Sequence, residues 1–209
     1  MQWLLLILWG AIIYLGTHTR ARWLKWSVAL GLLSAMSVQL ALLLLDGNVT
    51  WEAALPLHLC SLSGVLAIPA LWRAPSLLLE TLCFLSAPGA FLTLFFPAVV
   101  NSSRPLLMKA AFCQLHVLLA LLPFFFYGTG KPLPVDPRRT LVVGSGYLLF
   151  ISFINRIWNT NYLFLRAAPM GTPLQWLAER GSLFYPCALV MLCMLVFSWL
   201  SQCYAHFRK

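Results

Sequence analysis

The stretch that decides the fold is Trp51 to Trp72, WEAALPLHLCSLSGVLAIPALW. Its length and apolar content are typical of a membrane-spanning helix, which needs about 20 apolar residues. It also carries His58, Cys60 and small hydroxyl residues, which hydrocarbon does not accommodate unless they face a protein interior. Ionisable groups at such depth mark a functional site by default, so the residues that can meet His58 and Cys60 become its candidates.

The composition excludes a soluble domain. Hydrophobic residues make up 61% of the 209, charged residues 9%, and only five residues are acidic. We therefore expect an all-α, polytopic transmembrane bundle that forms one domain over residues 1–209. About seven apolar stretches predict spans: they cover 3–15, 26–45, 53–72, 77–96, 106–127, 140–158 and 183–204. The motif TPLQ at 172–175 has the form of a helix start and predicts a short interfacial helix over 173–179.

The positive charge of the chain predicts its orientation rather than a nucleic-acid partner. The net charge is +9, but the basic residues lie in the connections between apolar stretches and not in one patch. With the N-terminus outside, nine of the fourteen Lys and Arg residues fall on the inner side and five on the outer side. The positive-inside rule therefore predicts an outer N-terminus and an inner C-terminus.

Under this topology, polar residues from three spans fall in one layer of the membrane. At a rise of 1.5 Å per residue, Cys60 lies roughly 10 Å below the outer boundary and His116 roughly 14 Å. Ser152, Asn155 and Asn159 are spaced by three and four residues, so they share one helix face and reach the same level. We therefore expect these side chains to approach one another.

The candidate partner for Cys60 in this layer is His116. His58 and Cys60 are two residues apart, about 200° around a helix, so His58 does not face the thiol. Ser63 and Gly64 lie on the face of Cys60 and are expected to leave space beside it. A partner for the thiol must therefore come from another span.

A cysteine beside a histidine is the minimum arrangement for covalent acyl transfer. The histidine takes the thiol proton, the thiolate attacks an ester carbonyl, and the imidazolium protonates the departing alcohol. Asn155 or Asn159 can orient the histidine or donate a hydrogen bond to the developing oxyanion. Gln114 points away from the face of His116.

Each candidate also has a non-catalytic interpretation. Cys60 can be an inert core thiol, His116 can be bonded to a carbonyl, and His58 can brace its helix. The alternative function is therefore a non-catalytic membrane protein: a metal or haem binder, a small transporter or a structural protein. No His-rich or Cys-x-x-Cys pattern and no convincing internal repeat supports these alternatives, so we expect no cofactor and no metal.

Two segments resemble the YwaF-like family of bacterial integral membrane proteins. They are HLCS at 58–61 and NRIWNTNYLFL at 155–165, which two prolines follow. Gln114 and His116 fit the same pattern. The family is similar to a eukaryotic transmembrane acyltransferase that makes polyunsaturated ether phospholipids with a Cys–His pair. More distantly, it is similar to androgen-induced membrane hydrolases that cleave fatty-acid esters with a Thr–His pair.

The resemblance implies that Cys60 is the nucleophile and His116 its base. The residues predicted to support this pair, by orientation or as oxyanion donors, are His58, Ser63, Gln114, Asn155, Asn159, Asn161 and Tyr162. It also implies a multi-pass protein of the bacterial cytoplasmic membrane. The substrate would be a membrane phospholipid or another acyl lipid that enters from the bilayer, with either transfer or hydrolysis as the outcome. Guanidinium groups on the outer side can hold phosphate headgroups; they belong to Arg104, Arg156, Arg166 and Arg180.

Overall fold

The computed structural model describes residues 1–19, 21–47, 49–50, 55–97, 101–168, 172–180 and 184–207. Within these ranges the chain forms eight helices and no strand, so the all-α prediction is confirmed. The helices are α1 Gln2–His18, α2 Trp23–Leu45, α3 Leu59–Ala70, α4 Ser76–Phe95, α5 Pro105–Gly128, α6 Arg138–Trp158, α7 Pro173–Ala178 and α8 Phe184–Phe207. A 3₁₀ turn, Tyr162–Phe164, follows α6.

Five of the described helices are long and apolar enough to cross a membrane: α2, α4, α5, α6 and the Val190–Phe207 part of α8. This supports the prediction of a multi-pass membrane protein. Helices α1 and α3 are apolar but shorter, at 17 and 12 residues. At 1.5 Å per residue, α3 covers roughly 18 Å of a hydrocarbon core roughly 30 Å thick. The count of seven spans and the orientation of the chain stay predictions.

The N-terminal part of the third predicted span is not helical where it is described. The prediction places a helix over 53–72, but α3 begins only at Leu59. Residues 53 and 54 of the predicted helix lie outside the described ranges. Pro56 gives the physical reason. It has no N–H to donate, and its ring disfavours the helical conformation at Leu55.

The later start of α3 changes the position of the two residues that marked the span. His58 is the N-cap residue, in an extended conformation, and Cys60 is the second residue of the helix. The helical angle predicted between His58 and Cys60 is therefore wrong, because it assumed a helix that began several residues earlier. The depth of Cys60 in the membrane stays a prediction.

Helix α4 contains a π turn directly before Pro88-Gly89. Residues Leu82–Ser86 are π-helical, and α-helical geometry resumes at Ala87. Pro88 has no N–H, and its ring would clash with the carbonyl of Phe84 in a regular α-helix. A wider turn relieves that clash, and such π turns inside helices are frequent at functional sites.

Helix α5 is the centre of the bundle, in contact with α1, α2, α3 and α4. In its most apolar 18-residue window 61% of the residues are buried, against 22% in α6 and 11% in α8. Small residues allow the close approach that membrane helices use. A Cβ atom added at Gly31 of α2 would lie 2.9 Å from Leu118 Cδ1 on α5. Any polar side chain on the inner faces of α5 therefore meets protein and not lipid.

A lysine from the loop after α5 fixes the C-terminal end of α3. Lys131 Nζ donates hydrogen bonds to the carbonyl oxygens of Ala70 at 2.6 Å and Leu71 at 3.3 Å, and lies 5.1 Å from the ring centre of Phe126. Burial lowers the pKa of Lys131, and the charge of Lys25 lowers it further. The short helix is thus held at the end opposite to Cys60 by a cation on its free carbonyls.

Candidate functional site

His116 lies on the central helix α5 and is 4% exposed. Its Nδ1 is 2.7 Å from the carbonyl oxygen of Phe112, one turn earlier, and its ring lies against the Phe112 ring at 4.1 Å. A carbonyl oxygen only accepts, so Nδ1 carries the proton of the neutral ring and Nε2 is the nitrogen that can act as a base. A hydrogen bond from His116 to a carbonyl is what a non-catalytic role predicts. The same bond to Phe112 also fixes the tautomer that a catalytic base needs.

Cys60 is half-buried beside the apolar core, in the first turn of α3. The first hydrogen bond of this turn runs from the N–H of Leu62 to the carbonyl of His58 at 3.0 Å. The N–H groups of the residues between them have no acceptor within the helix. They give the N-terminus of α3, where Cys60 lies, a partial positive charge.

The helices that carry Cys60 and His116 are in contact. A Cβ atom added at Gly64, one turn after Cys60, would lie 3.1 Å from Leu115 Cδ1 and 2.9 Å from Met36 Sδ. The space predicted beside Gly64 is thus filled by α2 and α5, while Leu115 directly precedes His116. Within the described part of the chain, no hydrogen bond joins the thiol of Cys60 to the imidazole of His116.

The start of α3 packs against α6 and the loop that follows it. The His58 ring lies 5.1 Å from the Tyr162 ring, edge to face, and 6.0 Å from the Phe164 ring. The hydroxyl of Tyr147 on α6 donates to the carbonyl of Leu57 at 2.6 Å. The structure thus brings together two predicted supporting residues, His58 and Tyr162, at the end of α3 where Cys60 lies.

Ser63 uses its hydroxyl inside the bundle. Its Oγ is 2.6 Å from the Oγ of Ser86, which belongs to the π turn of α4, and both residues are buried. Ser86 Oγ also lies 3.5 Å from the carbonyl oxygen of Thr81. The pair connects α3 to α4 one turn after Cys60, so the immediate role of Ser63 is to hold these helices together.

Gln114 points away from His116, as the sequence predicts. Its Nε2 donates to the carbonyl of Gly31 at 2.8 Å and to Ser34 Oγ at 3.1 Å, both on α2. These bonds lie close to the tight contact of α2 with α5. Gln114 therefore contributes to the packing of the central helix.

Asn155 does not orient His116, whose ring is oriented by its own helix. The side chain of Asn155 is 1% exposed, and its described hydrogen bonds all go to the following loop. Its Nδ2 donates to the carbonyl of Tyr162 at 2.9 Å, and its Oδ1 accepts from the Tyr162 N–H at 2.8 Å and from Thr160 Oγ1 at 2.9 Å. Asn155 therefore fixes the conformation of the loop that follows α6.

Asn159 and Asn161 also form hydrogen bonds with the loop after α6. Asn159 ends α6 in the left-handed conformation, with φ of 52°, and its Oδ1 accepts from Arg166 Nη1 at 2.7 Å. Asn161 Oδ1 accepts from the N–H of Arg166 at 3.0 Å and of Ala167 at 3.1 Å. The motif NTNY at 159–162 thus fixes the conformation of the loop and the position of Arg166.

Of the four predicted headgroup arginines, the structure brings two into one cavity. Arg156 and Arg166 open into a cavity of about 630 Å³ between α6 and the loop after it. Arg104 is the N-cap residue of α5, and Arg180 lies 4.2 Å above the ring of Trp176. The cavity is lined by Ser152, Phe153, Asn155, Arg156, Leu165 and Arg166.

Three residues at the site were missed by sequence reasoning: Phe112, Tyr147 and Ser86. Phe112 acts through its backbone carbonyl, for which no sequence pattern exists. Tyr147 is one aromatic residue among many in an apolar helix. Ser86 had a usable signal, because it lies two residues before Pro88, where a disturbed helix frees polar groups.

The described residues do not present a multidentate metal centre. Within the ranges that the structure covers, no group of three or more His, Cys, Asp or Glu side chains is arranged to hold a metal ion. The histidines at the site instead contact aromatic rings and a backbone carbonyl, at His58 and His116 respectively. These contacts supply no observation in favour of metal or haem binding.

Comparison with known proteins places the chain in a broad class. A protein-family model described as the TMEM164 family matches residues 1–201. No curated protein and no solved structure matches the chain significantly. The family match confirms a transmembrane protein, and the finer resemblance to YwaF-like proteins stays a prediction.

Proposed function

The chain belongs to the TMEM164 family of transmembrane proteins, and on that premise we propose that it is a membrane-embedded lipid acyltransferase or lipid ester hydrolase that uses Cys60 and His116. The observation that carries the proposal is the contact of α3 with α5 beside both residues. Gly64 lies one turn after Cys60, and its contact Leu115 directly precedes His116.

The proposed reaction begins with transfer of the thiol proton from Cys60 Sγ to His116 Nε2. The sulfur attacks the carbonyl carbon of a lipid ester, and the ester C–O bond breaks as the departing alkoxide takes the proton from the imidazolium. The products are an alcohol and a thioester on Cys60. An acceptor alcohol, or water, then attacks the thioester while Nε2 takes its proton, and that proton returns to the sulfur.

Two features of the structure support this chemistry. The Phe112 carbonyl holds the proton on Nδ1 of His116, which leaves Nε2 unprotonated in the neutral ring. The peptide N–H groups of the first turn of α3 lie near Cys60, and their partial positive charge has the sign that attracts an anion. The thiol and Nε2 must come within hydrogen-bond distance once substrate is bound, since catalytic contacts often tighten only in the complex.

We further propose that the substrate enters from the bilayer and that the site lies toward the outer leaflet of a bacterial cytoplasmic membrane. The basic residues of the sequence favour an outer N-terminus and an inner C-terminus. In that orientation α3 runs inward from Cys60 to the Lys131 cap. The exposed apolar surface of α6 beside the start of α3 supplies a path for an acyl chain.

The test is turnover of a phospholipid with a labelled acyl chain by the purified protein in lipid nanodiscs. We expect Cys60→Ala to reduce turnover by a factor on the order of 10³ or more, and His116→Ala by roughly 10² to 10⁴. Cys113→Ala is the matched control, because it removes another buried thiol, three residues from His116, and should leave turnover unchanged.

Mass spectrometry of the protein during turnover provides a second readout. We expect an acyl group on Cys60 that hydroxylamine removes, as it does from a thioester. Full activity in Cys60→Ala, or a labelled acyl group found only on another residue, would overturn the proposal.

A further inference from the structure

We infer that the cavity between α6 and the loop after it binds the phosphate group of a glycerophospholipid through Arg156 and Arg166. The inference rests on the proposed function, because it names the headgroup chemistry of the same lipid substrate. It narrows the four arginines of the sequence to two, and it separates a phospholipid from neutral acyl esters as the substrate class.

The first argument is that these two cations have no acidic partner in the described part of the chain. Arg156 makes no described hydrogen bond or ion pair, and Arg166 bonds only to uncharged groups of α6 and of its own loop. Of the five acidic residues, Glu52 lies outside the described ranges. The others are engaged elsewhere: Asp46 with Ser102 and Ser103, Glu80 with Arg139, Asp136 with Arg138, and Glu179 with Gln175.

The second argument is that Arg166 is held in place for a ligand. Its Nη1 donates to Asn159 Oδ1 at 2.7 Å, and to the carbonyls of Asn155 at 3.3 Å and Thr160 at 3.4 Å. Its Nη2 and Nε have no hydrogen-bond partner among the described residues. A guanidinium that lines a cavity and is fixed through one nitrogen, while its other two nitrogens make no described bond, suits bidentate binding of a phosphate.

The third argument is backbone strain in the same loop. Leu163 and Phe164 have φ of 58° and 55°, in the left-handed region that residues with bulky side chains rarely adopt. Such residues cost about 1–3 kcal/mol each and cluster at binding and catalytic sites, where the surroundings enforce them. The bonds of Asn155 and Asn161 supply that enforcement here. Strain maintained in a loop that also fixes an unpaired cation is expected of a binding site.

The walls of the cavity point to a lipid rather than to free phosphate. Phe153, 61% exposed on α6, and Leu165 line it beside the two guanidinium groups. A volume of about 630 Å³ far exceeds what inorganic phosphate needs and lies in the ordinary range for organic ligands. A site lined by both guanidinium groups and apolar side chains matches a phosphodiester joined to acyl chains.

The test compares three probes by native mass spectrometry of the purified protein: dihexanoyl phosphatidylglycerol, dihexanoylglycerol and inorganic phosphate. We expect the phospholipid to bind best, and Arg156→Gln to weaken its binding about tenfold. Ser152→Asp places a carboxylate in the cavity and should weaken it as well. Arg138→Gln, the same charge change at the opposite end of α6, is the control and should have no effect.

Equal binding of the phospholipid to the native protein, Arg156→Gln and Ser152→Asp would overturn the inference. Inorganic phosphate that binds as tightly as the phospholipid and displaces it would also overturn it, since the ligand would then be the free anion. The Cys60→Ala variant separates the two proposals. Headgroup-dependent binding should survive in Cys60→Ala, whereas turnover should not.

Discussion

The α3–α5 contact and the loop after α6 differ in how far their polar side chains are hydrogen-bonded. In the loop, asparagine, threonine and arginine side chains bond to one another and to nearby backbone, and Asn155 alone makes three such bonds. At the α3–α5 contact, Cys60 makes no described hydrogen bond and His116 uses one ring nitrogen on its own helix. The polar side chains of the loop thus form hydrogen bonds that fix its conformation. At the α3–α5 contact, the thiol of Cys60 and Nε2 of His116 make no described hydrogen bond.

This difference shows what a buried polar residue can indicate. A polar group that is fully bonded within its own segment contributes to stability and specificity of structure. A reactive group held in a protein interior without such a partner is a better candidate for chemistry. Removal of a loop residue should therefore change stability, and removal of Cys60 should change turnover with little effect on stability.

The largest effect on stability is expected for Asn155→Ala. The change removes three buried hydrogen bonds, two to the backbone of Tyr162 and one to the hydroxyl of Thr160. A buried hydrogen bond contributes about 1 kcal/mol, so the free energy of unfolding should fall by about 3 kcal/mol. Unfolding in mixed detergent micelles, followed by circular dichroism, measures it.

Two variants calibrate that result. Asn155→Asp keeps both acceptor bonds but sets a carboxylate oxygen opposite the carbonyl oxygen of Tyr162, so stability should fall in this variant as well. Ser152→Ala, one turn earlier on α6, removes an exposed hydroxyl that bonds to its own helix and should change stability by less than about 0.5 kcal/mol. An Asn155→Ala protein as stable as the Ser152→Ala protein would contradict a structural role for this loop network.

The sequence predicts the class of this fold well because the physical signal is composition. Stretches of about 20 apolar residues leave few alternatives to spanning helices. It fails at the start of α3, where hydropathy stays high through Leu55 and Leu57 but Pro56 breaks the helix. Hydropathy averages over a window, and one proline changes local geometry without changing that average.

The sequence identifies which residue types are candidates for the site, but not which of these side chains contact one another. His58, Cys60, His116 and Asn155 stand out because polar groups are rare in this chain. Which of them meet depends on the rotation and crossing of helices, and packing sets these. Asn155 was expected to serve His116, yet it bonds to Tyr162, only seven residues away. A short-range partner of this kind is favoured because closing a short loop costs little conformational entropy.

A moderate effect is expected at the bond between Ser63 and Ser86, which is polar but lies beside the proposed site. Ser63→Ala and Ser86→Ala should each destabilise the protein by about 1–2 kcal/mol, and the double variant by less than their sum, since one bond is lost in all three. Turnover per folded molecule should be equal in both single variants. A loss of turnover in Ser63→Ala alone would instead assign Ser63 to the chemistry of Cys60.

The smallest effect is expected at Asp46, where a bonded polar cluster is exposed to water. Asp46 accepts hydrogen bonds from the hydroxyls of Ser102 and Ser103 and from the Ser103 N–H. The Ser102 hydroxyl, and then that of Ser103, lowers the pKa of Asp46 below its ordinary 3.8. A carboxyl whose pKa is lower in the folded state stabilises the protein above its unfolded-state pKa, and this stabilisation is lost as the pH falls through the folded-state pKa. The Asp46→Asn protein should therefore be slightly less stable than the native protein at pH 7, and the difference should vanish as the pH falls through the lowered pKa of Asp46. A difference that stays constant from pH 7 to pH 2 would mean that the charge of Asp46 contributes nothing to the free energy of unfolding. Exposed polar clusters outside the bundle would then add no measurable stability.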